Sequence, residues 1–312
     1  MTVQKNNPLS RRQNLWRNLK RDRMLILLAL PAVLYFAVFH YLPMIGTVIA
    51  FQNFRPGAGL FSSSWVGIRW FKEFFSSIFF SRLLVNTFLL SFYMLIFAFP
   101  VPIIFALMLC EVKDGLFRRT IQAISFLPHF ISLVVVVGIL QNFLSISDGV
   151  INQFRGFLGF KAIGFLDDPG YFRMVYVVSG IWQEFGWNSI VYIAAIAGIS
   201  PQLYEAARID GCSRFRQMIH ITLPGIMPAA VTLLILHLGK MMSVGFEKII
   251  LMYSPSTYSV ADVLSTYVYR RGIVDMQFSY AGAVDLFNSV INLVLLLAVN
   301  RISRRRTGVG LF

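Results

Sequence analysis

Residues 200–224 read SPQLYEAARIDGCSRFRQMIHITLP and lie between two apolar stretches, Met174–Ile199 and Gly225–Leu251. Ser200 suits an N-cap. Pro201 suits the first helical position, because its missing N–H would have had no partner within the helix. Leu203, Ala206 and Ala207 form a narrow apolar face of small side chains, and Glu205 followed by Arg208 complements the helix dipole. Gly211 permits a turn that a residue with a Cβ would resist, and Phe215, Met218 and Ile219 then recur at helical spacing. The expectation is a short helix, a sharp turn and a second helix, both parallel to a membrane, with Pro224 introducing the next span. The small alanines at the tip would let the backbone of another protein come close.

Outward from this loop the chain is mostly apolar. Of its 312 residues, 57% are hydrophobic, 13% are charged and 30 are Phe, and the mean hydropathy is +0.67. Soluble folds carry roughly a quarter charged residues, so a water-soluble globule and a disordered chain are both excluded. A helical span needs about 20 apolar residues to cross a hydrocarbon layer of about 30 Å. Six stretches qualify: Met24–Val48, Leu83–Cys110, Ile121–Phe143, Met174–Ile199, Gly225–Leu251 and Ala283–Val299. They lack the alternation of barrel strands, so the expected fold is all-α, a polytopic membrane protein with six transmembrane helices.

The net charge of +14 would suggest nucleic acid in a soluble chain, but here it reads as topology. Lys5, Arg11, Arg12, Arg17, Lys20, Arg21 and Arg23 precede the first span. Lys113, Arg118 and Arg119 follow the second, Arg208, Arg214 and Arg216 follow the fourth, and Arg301, Arg304, Arg305 and Arg306 follow the last. These seventeen face nine on the opposite side, which places both termini in the cytoplasm. No nucleic-acid partner is expected. Met24–Phe51 is too long for the apolar core of a cleaved signal, and the aromatic segment Ile68–Phe80 reads as interfacial.

The chemistry of catalysis is missing from the pattern. His40, His129, His220 and His237 are scattered, without metal-ligand spacing. Two cysteines, Cys110 and Cys212, make no disulfide framework. Gly239-Lys240 lacks the upstream glycine of a phosphate-binding loop and is followed by Met241. No catalytic residue and no metal site is expected, so this chain should not hydrolyse ATP itself.

Glu205-Ala206-Ala207, Asp210-Gly211 and, twelve residues after Gly211, Leu223-Pro224 resemble the EAA motif of binding-protein-dependent ABC importer permeases of type I. Cys212 stands where that family usually has Ala. Leu84–Thr87 (LVNT) and Phe126–Ser132 (FLPHFIS) resemble the subgroup that imports oligosaccharides derived from polysaccharides. The resemblance implies that the 200–224 loop couples to a separate ATPase subunit through Leu203, Glu205, Ala206, Ala207, Asp210, Gly211, Phe215, Leu223 and Pro224. It also implies two ATP-binding subunits holding ATP and Mg, a second permease subunit (homologous or identical), an extracytoplasmic solute-binding protein and a bacterial cell membrane. On this reading residues 83–301 are the transport core, 24–82 carry the first helix and an outer loop, and 1–23 and 302–312 are basic cytoplasmic tails. An ion-coupled secondary transporter is the alternative; it would have no need of a docking loop.

Charges within spans are costly and usually face a cavity or a partner. Glu184 and Lys240 each lie about ten residues from the outer end of their spans, on the order of 15 Å deep at 1.5 Å per residue, so an ion pair between them is feasible. Glu247 shares a helical stripe with Lys240. Trp182, Trp187, Asn188 and Tyr192 surround Glu184, and His237 lies near Lys240. Aromatic faces beside amides and carboxylates suit a sugar ring, and these eight residues are the candidate substrate pathway. The competing reading is interhelical glue, with the Trp residues as interfacial anchors. Asp262, Arg270, Arg271 and Asp275 read as solvated outer-loop charges.

Overall fold

A computed structural model describes residues 22–57, 59, 60, 62–308 and 310. The six basic residues Lys5 to Arg21 of the N-terminal tail lie outside them. In chain order the helices are α1 (Arg23–Phe51), α2 (Arg69–Ser76), α3 (Phe80–Glu111), α4 (Leu116–Phe126), α5 (Leu133–Phe143), α6 (Val150–Phe157) and α7 (Pro169–Ala197). They continue with α8 (Pro201–Ile209), α9 (Arg214–Gly239), α10 (Phe246–Met252), α11 (Tyr258–Ala261), α12 (Leu264–Tyr269) and α13 (Phe278–Thr307). Between α1 and α2, β1 (Gln52–Asn53) pairs antiparallel with β2 (Ser64–Trp65), Gln52 opposite Trp65. Helices α1, α3, α9 and α13 are each long and apolar enough to cross a membrane, and the bent pairs α4–α5 and α7–α8 are so when each is taken together. The fold is therefore a helical polytopic membrane protein with four to six crossings.

Two of the expected spans differ from straight helices, each for a local reason. Ile121–Phe143 is broken: the helix axes on either side meet at 99°. Pro128 removes a backbone donor, Leu127–Phe130 tighten into a 3-10 turn, and Ile131 is extended. Ser132 restarts the chain as α5 by accepting a hydrogen bond from Val135 N at 3.4 Å. The fifth span is shifted. It begins at Arg214, because the second arm of the 200–224 loop is continuous with it, and it ends at Gly239 rather than Leu251. At Met218–Thr222 the helix widens to a π turn, with Leu223 N–H bonded to Met218 O, immediately before Pro224, which has no N–H to give. After Gly239 the chain leaves the helix until α10.

Helix α7 is the hub and packs against α3, α4 and α9. Its N-terminus is capped by Asp168, whose Oδ1 accepts from Gly170 N at 2.8 Å. Small residues let its neighbours approach. At Gly186 the carbonyl of Ser125 in α4 comes so near that a Cβ would stand 2.0 Å from its oxygen. Phe172, Val175 and Tyr176 of α7 share a buried cluster with Leu90, Val137 and Ile249, while Tyr192, at its other end, packs with Ala106, Ile226 and Ala230. Helix α2 buries Phe74 beside Tyr267, Tyr280 and Val284, and Trp70 Nε1 donates to Gln52 O at 2.8 Å.

The charges of residues 262–271 are not all solvated. Asp262 is fully buried and accepts from Arg270 at 2.6 Å and from Thr266 at 2.8 Å, with Arg82 of α3 at 3.8 Å. Asn86 donates to the Asp262 carbonyl at 3.0 Å and accepts from Arg173 of α7 at 2.8 Å. Burial works against the charge of Arg270, but the hydrogen bond and charge of Asp262 outweigh it and hold the guanidinium above its ordinary value. The network ties α3, α7 and the α11–α12 segment together. Arg271 and Asp275 do pair nearer the surface, at 3.1 Å.

Candidate functional site

Two sites emerge, one at a loop and one inside the bundle. At the loop, α8 bends away from α7 by 69°. Ser200 has N-cap backbone angles, but its hydroxyl makes no cap bond. The helix ends in a complete Schellman closure: Cys212 N–H bonds Ala207 O at 2.8 Å and Gly211 N–H bonds Arg208 O at 3.1 Å. That closure needs a left-handed residue, and Gly211 has φ +73°. Gln217, buried behind the turn, donates to Cys212 O at 2.8 Å, and Tyr204 meets Thr222 at 3.0 Å across the two arms. Arg214 reaches Glu111 at 3.9 Å.

With the turn held from behind, its other side is left free. Leu203 is 53% exposed, Ile209 87% and Phe215 66%, and Glu205, Ala206, Asp210, Gly211 and Pro224 are exposed as well. Ala207 and Leu223 face partly inward, Leu223 packing with the cluster around Tyr192. The result is a short rigid ridge of apolar and acidic side chains over small ones. Monomer surfaces rarely leave such apolar groups grouped without a partner.

Inside the bundle, α3, α7 and α9 enclose a cavity of about 430 Å³. Six of the eight pathway candidates line it: Glu184, Trp187, Asn188, Tyr192, His237 and Lys240. Trp182 and Glu247 are exposed on other faces and do not. Glu184 and Lys240 share the cavity, but they are not the pair. Glu184 Oε2 meets His129 Nδ1 at 3.0 Å, because the 99° bend at Pro128 turns His129 toward α7. The His129 ring also lies flat on Trp187, centroids 4.5 Å apart and planes 2° apart, with Phe130 edge-on to the same indole at 5.4 Å. Neither its place among the scattered histidines nor the FLPHFIS stretch marks His129 as a partner of Glu184; the signal for it is Pro128, the proline before it.

Lys248 is the second residue that the pattern did not single out. It is 7% exposed, donates to Tyr176 O at 3.1 Å and sits 5.0 Å from that residue's ring. It lies near the cavity wall: a Cβ at the cavity-lining Gly180 would stand 3.4 Å from Lys248 Nζ and 3.2 Å from Met94 Cε.

A multi-helix membrane protein with a rigid external ridge and a largely apolar cavity carrying a few polar and charged groups is a transport component by class. The chain belongs to the family described as the binding-protein-dependent transport system inner membrane component, which matches residues 98–308. It is 45% identical over 294 residues to protein LplB of Bacillus subtilis (strain 168), covering 94% of this chain and 92% of that one. It is 41% identical over 302 residues to the polygalacturonan/rhamnogalacturonan transport system permease protein YteP of the same organism, covering 97% and 94%. Among solved structures, a chain from the bacterial alginate ABC transporter in complex with an alginate pentasaccharide-bound periplasmic protein superposes with a TM-score of 0.88 at 43% identity. That match covers 95% of this chain and 99% of the other. The membership expected from the EAA-like loop is thus the one found, and an ion-coupled carrier is not favoured.

Proposed function

We propose that this chain is the transmembrane subunit of an ATP-driven importer that moves an oligosaccharide across a bacterial plasma membrane. An extracytoplasmic binding protein delivers the sugar. Two separate ATP-binding subunits hold ATP and Mg, and a second permease, homologous or identical, supplies the other half of the pathway. Both termini and the α8 ridge face the cytoplasm. The observation that carries this reading is the Schellman-closed α8, fixed from behind by Gln217 and Tyr204 while Leu203, Glu205, Ala206 and Asp210 stand free.

The geometry suggests how force passes. The ridge does not end at the turn, because its second arm continues without interruption into α9, which lines the cavity through Leu233, Leu236 and His237. The other arm is joined to α7, which carries Glu184, Trp187 and Asn188. Pushing on α8 therefore moves two walls of the cavity directly. The relatives named for oligosaccharide and polysaccharide transport support a sugar as cargo, and the His129–Trp187 stack with Glu184 and Asn188 offers a ring face and hydrogen bonds for one. Reconstitution with the ATP-binding subunits and the loaded binding protein tests the proposal. Uptake should require ATP and should be lost in Glu205→Lys with the protein still folded; uptake without any nucleotide-binding subunit would overturn it.

A further inference from the structure

A second cavity, of about 710 Å³, lies behind the coupling turn, between the end of α3, the start of α4 and the two arms of the 200–224 loop. Tyr204, Gln217 and Thr222, which brace the turn, form part of its wall, and Leu107 and Ile196 supply apolar surface. Four cations line it, Lys113 and Arg118 from the α3–α4 side and Arg208 and Arg214 from the loop, against two carboxylates, Glu111 and Asp114. Arg118 pairs with Asp114, and Arg214 stands 3.9 Å from Glu111. Lys113 and Arg208 have no ion-pair partner among the described residues. On the same wall Ser213 holds the N-cap position of α9 without a side-chain cap bond, which leaves its hydroxyl and the first-turn amides as further donors. The positive-inside rule accounts for the side on which these cations lie, but not for their gathering: Arg119 and Arg216 belong to the same two segments and stay outside the cavity.

We propose that this cavity binds a phosphate group, carried by a soluble phosphomonoester or by the headgroup of an anionic phospholipid of the inner leaflet. The proposal rests on the importer reading above only in placing the cavity at the cytoplasmic face. The two positive charges left over match a phosphate dianion, and the guanidinium forks of Arg208 and Arg214 can each donate two parallel hydrogen bonds to its oxygens. The volume is that of a small-molecule site, and basic pockets between membrane helices on this face suit anionic headgroups. An occupant held by Lys113 on one wall and Arg208 on the other fastens the cytoplasmic end of α3 to the coupling turn. It is therefore placed to regulate the ridge from behind, without touching the exposed side on which Leu203 and Glu205 stand.

The test uses the assembled importer with its ATP-binding subunits in lipid nanodiscs. In phosphatidylcholine nanodiscs it is titrated with glucose 6-phosphate and, in parallel, with glucose. In a second arm its melting temperature is compared between phosphatidylcholine and an equal mixture of phosphatidylcholine and phosphatidylglycerol, with no soluble probe. A soluble occupant gives saturable binding of glucose 6-phosphate but not of glucose; a lipid occupant gives instead a higher melting temperature in the mixture. In Lys113→Gln and in Arg208→Gln alike, binding should weaken about tenfold or more, or the melting gain should disappear. Arg216→Gln, outside the cavity, should respond as wild type. All three residues are exposed, so the variants should fold. No response in either arm overturns the site, as does a response undiminished in Lys113→Gln or Arg208→Gln, or one lost equally in Arg216→Gln. The importer reading does not hang on these outcomes: it falls only if uptake proceeds without the ATP-binding subunits.

Discussion

Substitution at Gly211 separates conformation from space in the proposed coupling ridge. The residue has φ +73°, and nothing lies within 4 Å of the position its Cβ would take. A side chain there collides with nothing; its only cost is the left-handed backbone. For alanine that cost is about 1–2 kcal/mol, a roughly five- to thirty-fold loss of the native turn. Asparagine tolerates this region far better, and is the residue that replaces glycine in such closures. Proline is fixed near −65°, which is incompatible with +73°, and it also removes the N–H that bonds Arg208 O at 3.1 Å. The native turn should then be disfavoured by at least about 3 kcal/mol, more than a hundredfold. Because the residue is exposed, the strain is relieved by rearranging the turn, and the melting temperature of the bundle should hardly move. The assay is ATP-dependent uptake by the reconstituted importer, with retention of the ATP-binding subunit on the solubilised permease as a second readout. The expected order is Gly, then Asn, then Ala, with Pro inactive. Wild-type coupling in Gly211→Pro, or Asn as damaging as Pro, would refute the reasoning.

Other substitutions probe the rest of the structure. Gly186→Ala places a methyl 2.0 Å from Ser125 O, so α4 must shift by more than about 1 Å; overpacking of this kind costs about 1–3 kcal/mol, and an unchanged thermal melt would contradict the close approach. Removing either His129 or Glu184 should impair sugar uptake, and the double alanine variant should be no worse than the singles, since both act through one contact. A Glu184→Lys, Lys240→Glu swap should give no rescue of either reversal. Asp262→Asn leaves Arg270 and Arg82 facing a neutral amide; the protein should lose about 3 kcal/mol, read as a lower melting temperature in detergent. By contrast Glu111→Ala should change stability by less than about 1 kcal/mol, because its 3.9 Å partnership with Arg214 is solvent-exposed.

What could be read from the sequence divides along a physical line. Composition and apolar run length depend on the solvent around a helix, so the membrane class and the bounds of α1 and α3 were legible within about three residues, while α13 runs on past its apolar stretch at both ends. The Gly211 turn was legible too, because a Schellman closure is local: its donors and acceptors all lie within Ala207–Cys212. The pairing of membrane-depth charges was not. Matching Glu184 with Lys240 by depth assumed two straight antiparallel helices, but Lys240 lies just beyond the end of α9, and the partner of Glu184 comes from the segment that bends. Likewise Asp262 reads as a solvated outer-loop charge from its local sequence, while in the fold it sits between α11 and α12 and meets Arg82 and Asn86, more than 170 residues away.

The same breaks that defeat the depth argument build the site. Without the interruption at Pro128, His129 would continue along α4 instead of folding onto Trp187. Without the stop at Gly239, whose missing side chain admits Leu296, the chain could not turn to bring α10 and Lys248 back against Tyr176. A membrane helix that satisfies all its own backbone bonds presents only side chains to a solute, whereas one interrupted inside protein can redirect whole segments at a cavity. In this chain the two residues that apolar run length could not place, His129 and Lys248, are the ones delivered by such interruptions. It follows that straightening the first break, with Pro128→Ala, should stabilise the helix locally while releasing His129 from Glu184. Tighter packing with weaker sugar binding is the expected outcome, and an undisturbed binding constant would show that the bend does not position the histidine.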